Sequence, residues 1–211
     1  GDGSWSSGPK LTASDGTERD GFGTAVSISG DRIMVGAPEF TSFILGAIPG
    51  AVYVFERQAN ENWQEVSKLT ASTARRTDRF GTSLSLMGER LAVGAPGVVD
   101  VGATGATHVF ERQTNGDWLE VTILTASDGE IRDLFGQSVS LSGDRVIAGA
   151  PGDDDNGSFS GSAYVFERQT NGTWQEAAHV MNRKPAPCWY ALIEETLRTR
   201  VPLSQNTMLF L

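Results

Sequence analysis

The residues best suited to chemistry form one cluster, Asp153-Asp154-Asp155-Asn156, which Gly157 follows. Carboxylate and amide oxygens crowded on a loop can hold Ca²⁺, which takes about 6–8 oxygen ligands. The spacing departs from the usual calcium loop, because Gly157 is the fifth residue from Asp153 rather than the sixth and no bidentate Glu follows at the expected distance. The cluster therefore predicts either a calcium site at Asp153, Asp154, Asp155 and Asn156 or a solvated turn.

Groups that support covalent or acid–base catalysis are sparse. The two histidines, His108 and His179, fall in predicted strands, and the single cysteine, Cys188, lies near the C-terminal end and excludes an internal disulfide. The sequence contains no GxSxG nucleophile elbow, no HExxH zinc motif and no Cys–His arrangement. We therefore expect a protein that is not an enzyme and that requires no cofactor.

The elements that position these side chains come from a unit that the sequence repeats three times. The units start at Phe22, Phe80 and Phe135. Each begins with Phe-Gly, reaches the glycine of Gly-Ala-Pro 14 residues later and continues, after a loop of variable length, into Val-Phe-Glu-Arg-Gln. A tryptophan stands eight residues after the phenylalanine of Val-Phe-Glu-Arg-Gln. Fixed spacing with one variable segment indicates a repeat architecture.

Each unit predicts four antiparallel strands. The first alternates polar and apolar residues, as at Val26 and Ile28, and a Gly-Asp or Gly-Glu step turns it into a continuously apolar second strand. The third strand contains Val-Phe-Glu-Arg, and the fourth begins at the tryptophan. Because a continuously apolar strand suits a sheet covered on both faces, we predict an all-β fold, a β-propeller of four-stranded antiparallel blades.

The predicted propeller occupies residues 1–180. Its blades cover about 15–72, 73–127 and 128–180. Residues 4–14 repeat the end of a unit, since Trp5 precedes Leu-Thr-Ala-Ser by six residues, as Trp63 and Trp118 do. We predict that they form the outer, closing strand of a further blade.

The remaining segment, residues 181–211, differs in character. No glycine and no Phe-Gly or Gly-Ala-Pro motif occurs in it. Apolar residues at helical spacing after Pro187 favour one short amphipathic helix. An irregular fourth blade and sequence foreign to the fold are the alternatives.

The units resemble FG-GAP repeats, the blades of the integrin α-subunit propeller, and in particular the bacterial variety of that repeat. The resemblance covers residues 5–180, where Phe-Gly, Gly-Ala-Pro and the Val-Phe-Glu-Arg strand recur in register. It implies a β-propeller used for extracellular adhesion or ligand binding. Many FG-GAP blades carry an aspartate-rich calcium loop between the two motifs. Because only one acidic residue stands there in each unit, no calcium is expected at Asp31, Glu89 or Asp144.

Charge and composition narrow the class of partner. The formal net charge of −9 argues against nucleic acid and against an anionic membrane surface, both of which would repel the protein. No run of about 18 apolar residues is present, so membrane insertion is not expected. With the resemblance, these features predict a secreted protein, extracellular or on the cell surface.

The loop before the first strand and the loop after Gly-Ala-Pro lie at the same end of an up-and-down blade. We call this end the rim. It is built from residues 39–49, 73–79, 97–104 and 152–160. Variable loops on a rigid scaffold are a common place for binding. The candidate contacts are the apolar residues Phe40, Phe43, Ile44 and Leu45, the basic residues Arg75, Arg76 and Arg79, and Asp100.

Two repeated positions have both a functional and a structural interpretation. Asp20, Asp78 and Asp133 stand two residues before each Phe-Gly and either surround the channel mouth or fix a local turn. His108 takes the place of Tyr53 and Tyr164, which favours a packing role. The recurring tryptophans also favour packing within the blades over a sugar-binding platform.

The prediction from sequence is a binding or adhesion module that recognises a protein or glycan partner through the rim. One alternative is a structural unit that self-assembles into a homo-oligomer, because three blades are fewer than the roughly 4–8 of closed propellers. A second alternative is a carbohydrate-directed module or enzyme domain.

Overall fold

The computed structural model describes residues 8–39, 49–73, 78–97 and 103–181. Blade 1 contains β1 (Ala25–Ser29), β2 (Arg32–Ala37), β3 (Ala51–Arg57) and β4 (Trp63–Leu69). Blade 2 contains β5 (Ser83–Met87), β6 (Arg90–Ala95), β7 (Ala106–Arg112) and β8 (Trp118–Leu124). Blade 3 contains β9 (Ser138–Ser142), β10 (Arg145–Ala150), β11 (Ser162–Arg168) and β12 (Trp174–Met181). Each blade is a four-stranded sheet in chain order, and its neighbouring strands are antiparallel.

A tight turn with a left-handed glycine joins the first two strands of every blade. The turn glycines Gly30, Gly88 and Gly143 have φ angles of 58°, 57° and 57°. Only glycine adopts this conformation at little steric cost. The Gly-Asp and Gly-Glu steps in the sequence therefore mark these turns correctly.

The second strand of the middle blade, β6, is buried on both faces. In β6, the consecutive residues Leu91, Ala92 and Val93 are all 0% exposed. Neighbouring residues of a strand point to opposite faces of the sheet. Burial of all three therefore requires cover on both sides, which the blades on either side provide.

Two hydrophobic cores lie between neighbouring blades. The first joins Met34, Val52 and Val54 of blade 1 to Phe80, Leu91 and Phe110 of blade 2. The second joins Ala92, Val109 and Leu124 of blade 2 to Phe135, Val146 and Tyr164 of blade 3. The first strands β1, β5 and β9 contact one another in turn. The predicted all-β, propeller-like arrangement is confirmed, and the array of three blades is not closed into a ring.

Hydrogen bonds between a serine and a glutamate fasten each blade to the chain segment before it. The fourth strand of each blade carries a β-bulge opposite the third, and the glutamate beside the bulge accepts from the amide and the hydroxyl of a serine. The pairs are Ser14 with Glu65, Ser72 with Glu120 and Ser127 with Glu176, at 2.8–3.1 Å. Because Ser72 follows β4 and Glu120 lies in β8, the second pair joins blades 1 and 2. The bulge orients the glutamate side chain toward the serine.

Residues 8–14 form no β-strand, which corrects the prediction of an outer strand at residues 4–14 for the part that the structure describes. A strand needs a neighbouring strand to pair its backbone groups, and no blade precedes blade 1 among the described residues. Leu11 and Ala13 nevertheless pack on blade 1.

The last described strand ends at Met181. Residues 182–211 lie outside the described residues, so the predicted helix and the alternative fourth blade stay predictions. Within the described ranges, no helix is long and apolar enough to cross a membrane.

Candidate functional site

One backbone hydrogen bond per blade brings the rim loops together. The residue after Gly-Ala-Pro donates its amide to the carbonyl oxygen of the aspartate two residues before Phe-Gly. The pairs are Glu39 with Asp20, Gly97 with Asp78 and Gly152 with Asp133, each 3.0 Å between nitrogen and oxygen. The loop that precedes the first strand and the loop that follows the second therefore meet at one end of every blade, as the sequence predicts.

The aspartates before Phe-Gly fix local turns. Asp20 accepts from the amide and the hydroxyl of Thr17, both at 2.6 Å. Asp133 accepts from the amide of Glu130 at 2.6 Å. The structural interpretation of these repeated aspartates is thus confirmed in blades 1 and 3.

In blades 1 and 3, a tyrosine of the third strand forms a hydrogen bond with an aspartate of the loop before the first strand. The Tyr53 hydroxyl donates to Asp15 at 2.7 Å, and the Lys68 ammonium lies 2.7 Å from the other carboxylate oxygen of Asp15. In blade 3, the Tyr164 hydroxyl donates to Asp128 at 2.8 Å, and His179 takes the place of Lys68.

Blade 3 concentrates buried acidic groups at the rim. Asp153 is 3% exposed, and one of its carboxylate oxygens lies 2.9 Å from the Tyr164 hydroxyl, whose single proton is shared between Asp128 and Asp153. His179 stacks on Tyr164 with ring centroids 4.1 Å apart, and its Nδ1 lies 3.2 Å from an oxygen of Asp128. Burial raises the pKa of the Tyr164 hydroxyl, and its hydrogen bonds to Asp128 and Asp153 raise it further. The hydroxyl therefore keeps its proton, which it can donate fully to only one of the two carboxylates at a time.

The second buried carboxyl group, Asp133, has an altered pKa. Burial raises the pKa of Asp133, and the nearby charges of Asp153, Asp154 and Asp155 raise it further, against a smaller lowering by the Glu130 amide. When folding raises the pKa of a carboxyl group, the free energy of unfolding of the protein falls as the pH rises from the unfolded pKa through the folded pKa of that group. Ionised Asp133 thus weakens the fold at neutral pH.

We predict that Asp133→Asn makes the free energy of unfolding fall less with rising pH than it does in the unchanged protein. The amide cannot ionise, yet its oxygen can still accept from Glu130. Chemical denaturation between acidic and neutral pH measures the slope, with Asp20→Asn at the equivalent, half-buried turn of blade 1 as the control. Identical slopes for the unchanged protein and Asp133→Asn would contradict the prediction.

The predicted calcium ligands are not arranged alike. The Asp153 carboxylate is occupied by Tyr164 and by the Asp155 amide, at 3.2 Å, whereas Asp154 and Asp155 are exposed. The Asn156 amide lies 2.9 Å from the Met181 sulfur. Across the part of the chain that the structure describes, no group of three or more His, Cys, Asp or Glu residues is placed to hold a metal ion. Calcium at this loop stays a prediction.

Most of the predicted partner contacts fall outside the described residues. These are Phe40, Phe43, Ile44, Leu45, Arg75, Arg76 and Asp100. Arg79 is described: it is half-buried at the rim, has a φ of 52°, and its carbonyl oxygen accepts from the Thr82 amide at 3.2 Å. Arg79 thus shapes the entry into Phe80 as well as carrying charge.

Phe159 is a rim residue that was not among the contacts predicted from sequence. This side chain lies in the rim loop of blade 3, is 73% exposed and has a φ of 53°. Positive φ is uncommon for a bulky residue, and an exposed aromatic side chain is a frequent binding anchor. The signal was a lone phenylalanine among Gly, Ser and Asn in a rim loop.

The packing interpretations hold for His108 and for two tryptophans. His108 is 1% exposed, lies edge-on to Phe80 with centroids 5.2 Å apart, and has Nδ1 3.2 Å from Glu120. Trp118 and Trp174 pack against the cores between blades. These residues build the blades rather than a binding surface.

Packed four-stranded antiparallel sheets with their loops at one rim define a β-propeller module. The family model described as FG-GAP repeat matches residues 5–55, 63–110 and 118–166. The chain belongs to the FG-GAP repeat family. The second and third matched ranges start at Trp63 and Trp118, each in the fourth strand of one blade, and end in the third strand of the next, so the family unit is offset from the structural blade by one strand.

Among solved structures, the chain is similar to the periplasmic gluconolactonase PpgL of Pseudomonas aeruginosa. The two are 16% identical with a TM-score of 0.44, and the match covers 78% of this chain and 58% of that one. The chain therefore spans less than two thirds of that protein. No curated protein sequence matches this chain.

Proposed function

We propose that this protein is an extracellular or cell-surface recognition module that binds a protein or glycan partner through its rim. One observation carries the proposal: in each blade, a backbone hydrogen bond holds the two rim loops together at the same end of the sheet. These loops differ in length and composition from blade to blade while the strands beneath them repeat. Variation confined to one end of a fixed framework is typical of a binding surface.

The described rim residues suggest the chemistry of the partner. Asp154 and Asp155 are exposed in the same rim loop as the exposed Phe159. An aromatic anchor next to two carboxylates suits a surface that offers an apolar or sugar face flanked by basic groups. The carboxylates would steer such a partner and align it, and the aromatic ring would supply most of the affinity. Recognition of this kind involves no bond chemistry and needs no cofactor.

We predict that Phe159→Ser weakens partner binding about tenfold or more, because it removes the exposed anchor. Asp154→Lys should slow association and make it less dependent on salt. Labelled protein applied to a glycan array and to intact cells, with and without calcium, measures binding.

Leu119→Ser and Asp117→Lys are the matched controls. Leu119 is 55% exposed on an outer strand, and Asp117 is exposed in the turn at the opposite end of blade 2. Equal losses for the rim variants and their controls would contradict the proposal. Binding to glycans alone would select the carbohydrate-directed form of the proposal.

A further inference from the structure

The array of three blades ends in two apolar faces that are buried everywhere else in the fold. We call the side of blade 3 that carries Ile147 the leading face, and the side of blade 1 that carries Ile28 the trailing face. Ile147 is 41% exposed, while its equivalents Met34 and Ala92 are 0% exposed. Ile28 is 65% exposed, while its equivalents Leu86 and Leu141 are 8% and 7% exposed. Each outer face is thus half of an interface that the protein builds twice internally.

A glycine contact distinguishes the complete interfaces from the leading face. At both internal interfaces, the glycine of Gly-Ala-Pro lies against the carbonyl oxygen of the Phe-Gly glycine in the next blade. These pairs are Gly36 with Gly81 and Gly94 with Gly136. Among the residues that the structure describes, Gly149 of blade 3 has Ser138 alone within such range. The leading face therefore lacks its Phe-Gly glycine.

A serine hydroxyl gives the internal interfaces their register. The Ser27 hydroxyl accepts from the Leu86 amide, and the Ser85 hydroxyl accepts from the Leu141 amide, both at 2.9 Å. At the two ends of the array, Ser140 is the equivalent acceptor and the Ile28 amide is the equivalent donor.

Alternating charges also cross each internal interface, at the end opposite the rim. Between blades 1 and 2, Arg32 contacts Glu56 and Glu89 at 3.2 and 2.8 Å, and Arg112 contacts the same two glutamates at 2.9 and 3.8 Å. Between blades 2 and 3, Arg90 contacts Glu111 and Asp144 at 3.0 and 2.6 Å, and Arg168 contacts Glu111 at 3.3 Å. Each group takes an arginine and a glutamate from one blade, and an arginine and an acidic residue from the next.

The outer faces carry the two halves of this charge group. On the leading face, Arg145 and Glu167 pair at 2.7 Å, and the Arg145 side chain is 69% exposed against 21% and 25% for its equivalents. On the trailing face, Arg57 lies 3.9 Å from Asp31, which is 75% exposed. Asp31 and Arg57 are the residue types that Arg145 and Glu167 need to complete the group.

We propose that the leading face of one copy of this chain binds the trailing face of a second copy, head to tail. The second copy supplies Gly23 for Gly149, the Ile28 amide for Ser140, and Asp31 and Arg57 for the charge group. Residues 182–211 of the same chain cannot fill this role, because they contain no glycine. Two copies bring six blades together, within the range of about 4–8 in closed propellers.

The N-terminal segment must move when the copies associate. Leu11 and Ala13 cover blade 1 where Leu69 and Ala71 cover blade 2. Val180 is the equivalent of Leu69 and would take the place of Leu11 on the second copy. Removal of residues 1–12 should therefore strengthen association.

A charge exchange tests the proposed pairing. Arg57→Glu and Glu167→Arg should each weaken self-association about tenfold or more, because each places like charges opposite one another. The double variant should return to within about threefold of the unchanged protein. Sedimentation equilibrium on the full chain, from low micromolar to submillimolar concentration, measures the dimer dissociation constant.

An apolar variant supplies an independent test. Ile147→Asp should abolish the dimer, whereas Leu119→Asp, on an exposed outer strand, should leave it intact. Thermal unfolding of each variant confirms that it is folded. The proposal is overturned if the protein without residues 1–12 stays monomeric at submillimolar concentration, if the double charge variant does not recover, or if Leu119→Asp disrupts the dimer as strongly as Ile147→Asp.

Discussion

Replacing Gly94 with alanine should destabilise the protein by about 3 kcal/mol or more, a loss at the upper end of single substitutions. A Cβ atom at Gly94 would overlap the carbonyl oxygen of Gly136 in the next blade and the Ser83 hydroxyl. The backbone of Gly136 cannot retreat, because its amide pairs with Gly149 and its carbonyl oxygen accepts from Ser83. The two blades would have to separate.

Gly149→Ala is the matched control, since it changes the same motif position in the last described blade. A Cβ there would meet only the Ser138 hydroxyl closely, and a side chain can rotate away. The control should cost about 1 kcal/mol or less. Urea denaturation measures both free energies of unfolding. Equal losses of unfolding free energy for the two variants would show that the close approach of the Gly136 backbone does not require glycine at residue 94.

The contrast between these glycines also separates local from long-range information in the sequence. The turn at Gly30 follows from residues next to one another, because a left-handed two-residue turn needs glycine. Gly94 is required for a different reason, the approach of a backbone 42 residues away in the chain. Exact repetition of Phe-Gly and Gly-Ala-Pro marks Gly136 and Gly94 in the sequence. Only the structure shows that the Gly-Ala-Pro glycine of one blade packs against the Phe-Gly glycine of the next.

The segment before blade 1 shows the limit of arguing from repetition. Residues 8–14 carry the same Leu-Thr-Ala-Ser as the later links, so the pattern predicted a strand at their start. Strand formation depends on a partner that no local pattern supplies. The segment makes the contacts for which blade 1 supplies the partner. These are the packing of Leu11 on blade 1 and the hydrogen bonds from Ser14 to Glu65.

Asp153 shows why the chemistry of the rim was only partly predictable. Four adjacent oxygen-bearing side chains suggested a shared role, yet Asp153 is buried on Tyr164 while Asp154 is exposed. This division is set by a tyrosine 11 residues further along, which spacing within the cluster cannot reveal. A comparison of blades gives a usable signal, because Tyr164 and Asp128 recur as Tyr53 and Asp15 and form the same hydrogen bond.

Phe135→Ala should cost about 3–5 kcal/mol, the usual range for deleting a buried phenylalanine. Phe135 is 0% exposed in the core between blades 2 and 3, with ring centroids 5.4 Å from Tyr164 and 5.9 Å from Phe166. Little can move to fill the space, because close-packed blades surround the ring on both sides.

Phe22→Ala measures how much of that loss belongs to the interface between blades. Phe22 contacts Tyr53 and Phe55 of its own blade in the same edge-on way, at 5.5 and 6.2 Å, but it is only half-buried. Its removal should therefore cost roughly half as much. The stability of a repeat array is approximately the sum of contributions from its repeats and from the interfaces between them. The difference between the two losses of unfolding free energy therefore estimates what one neighbouring blade contributes. Denaturation curves with matched m-values measure it, and equal losses would mean that the blade itself supplies the whole effect.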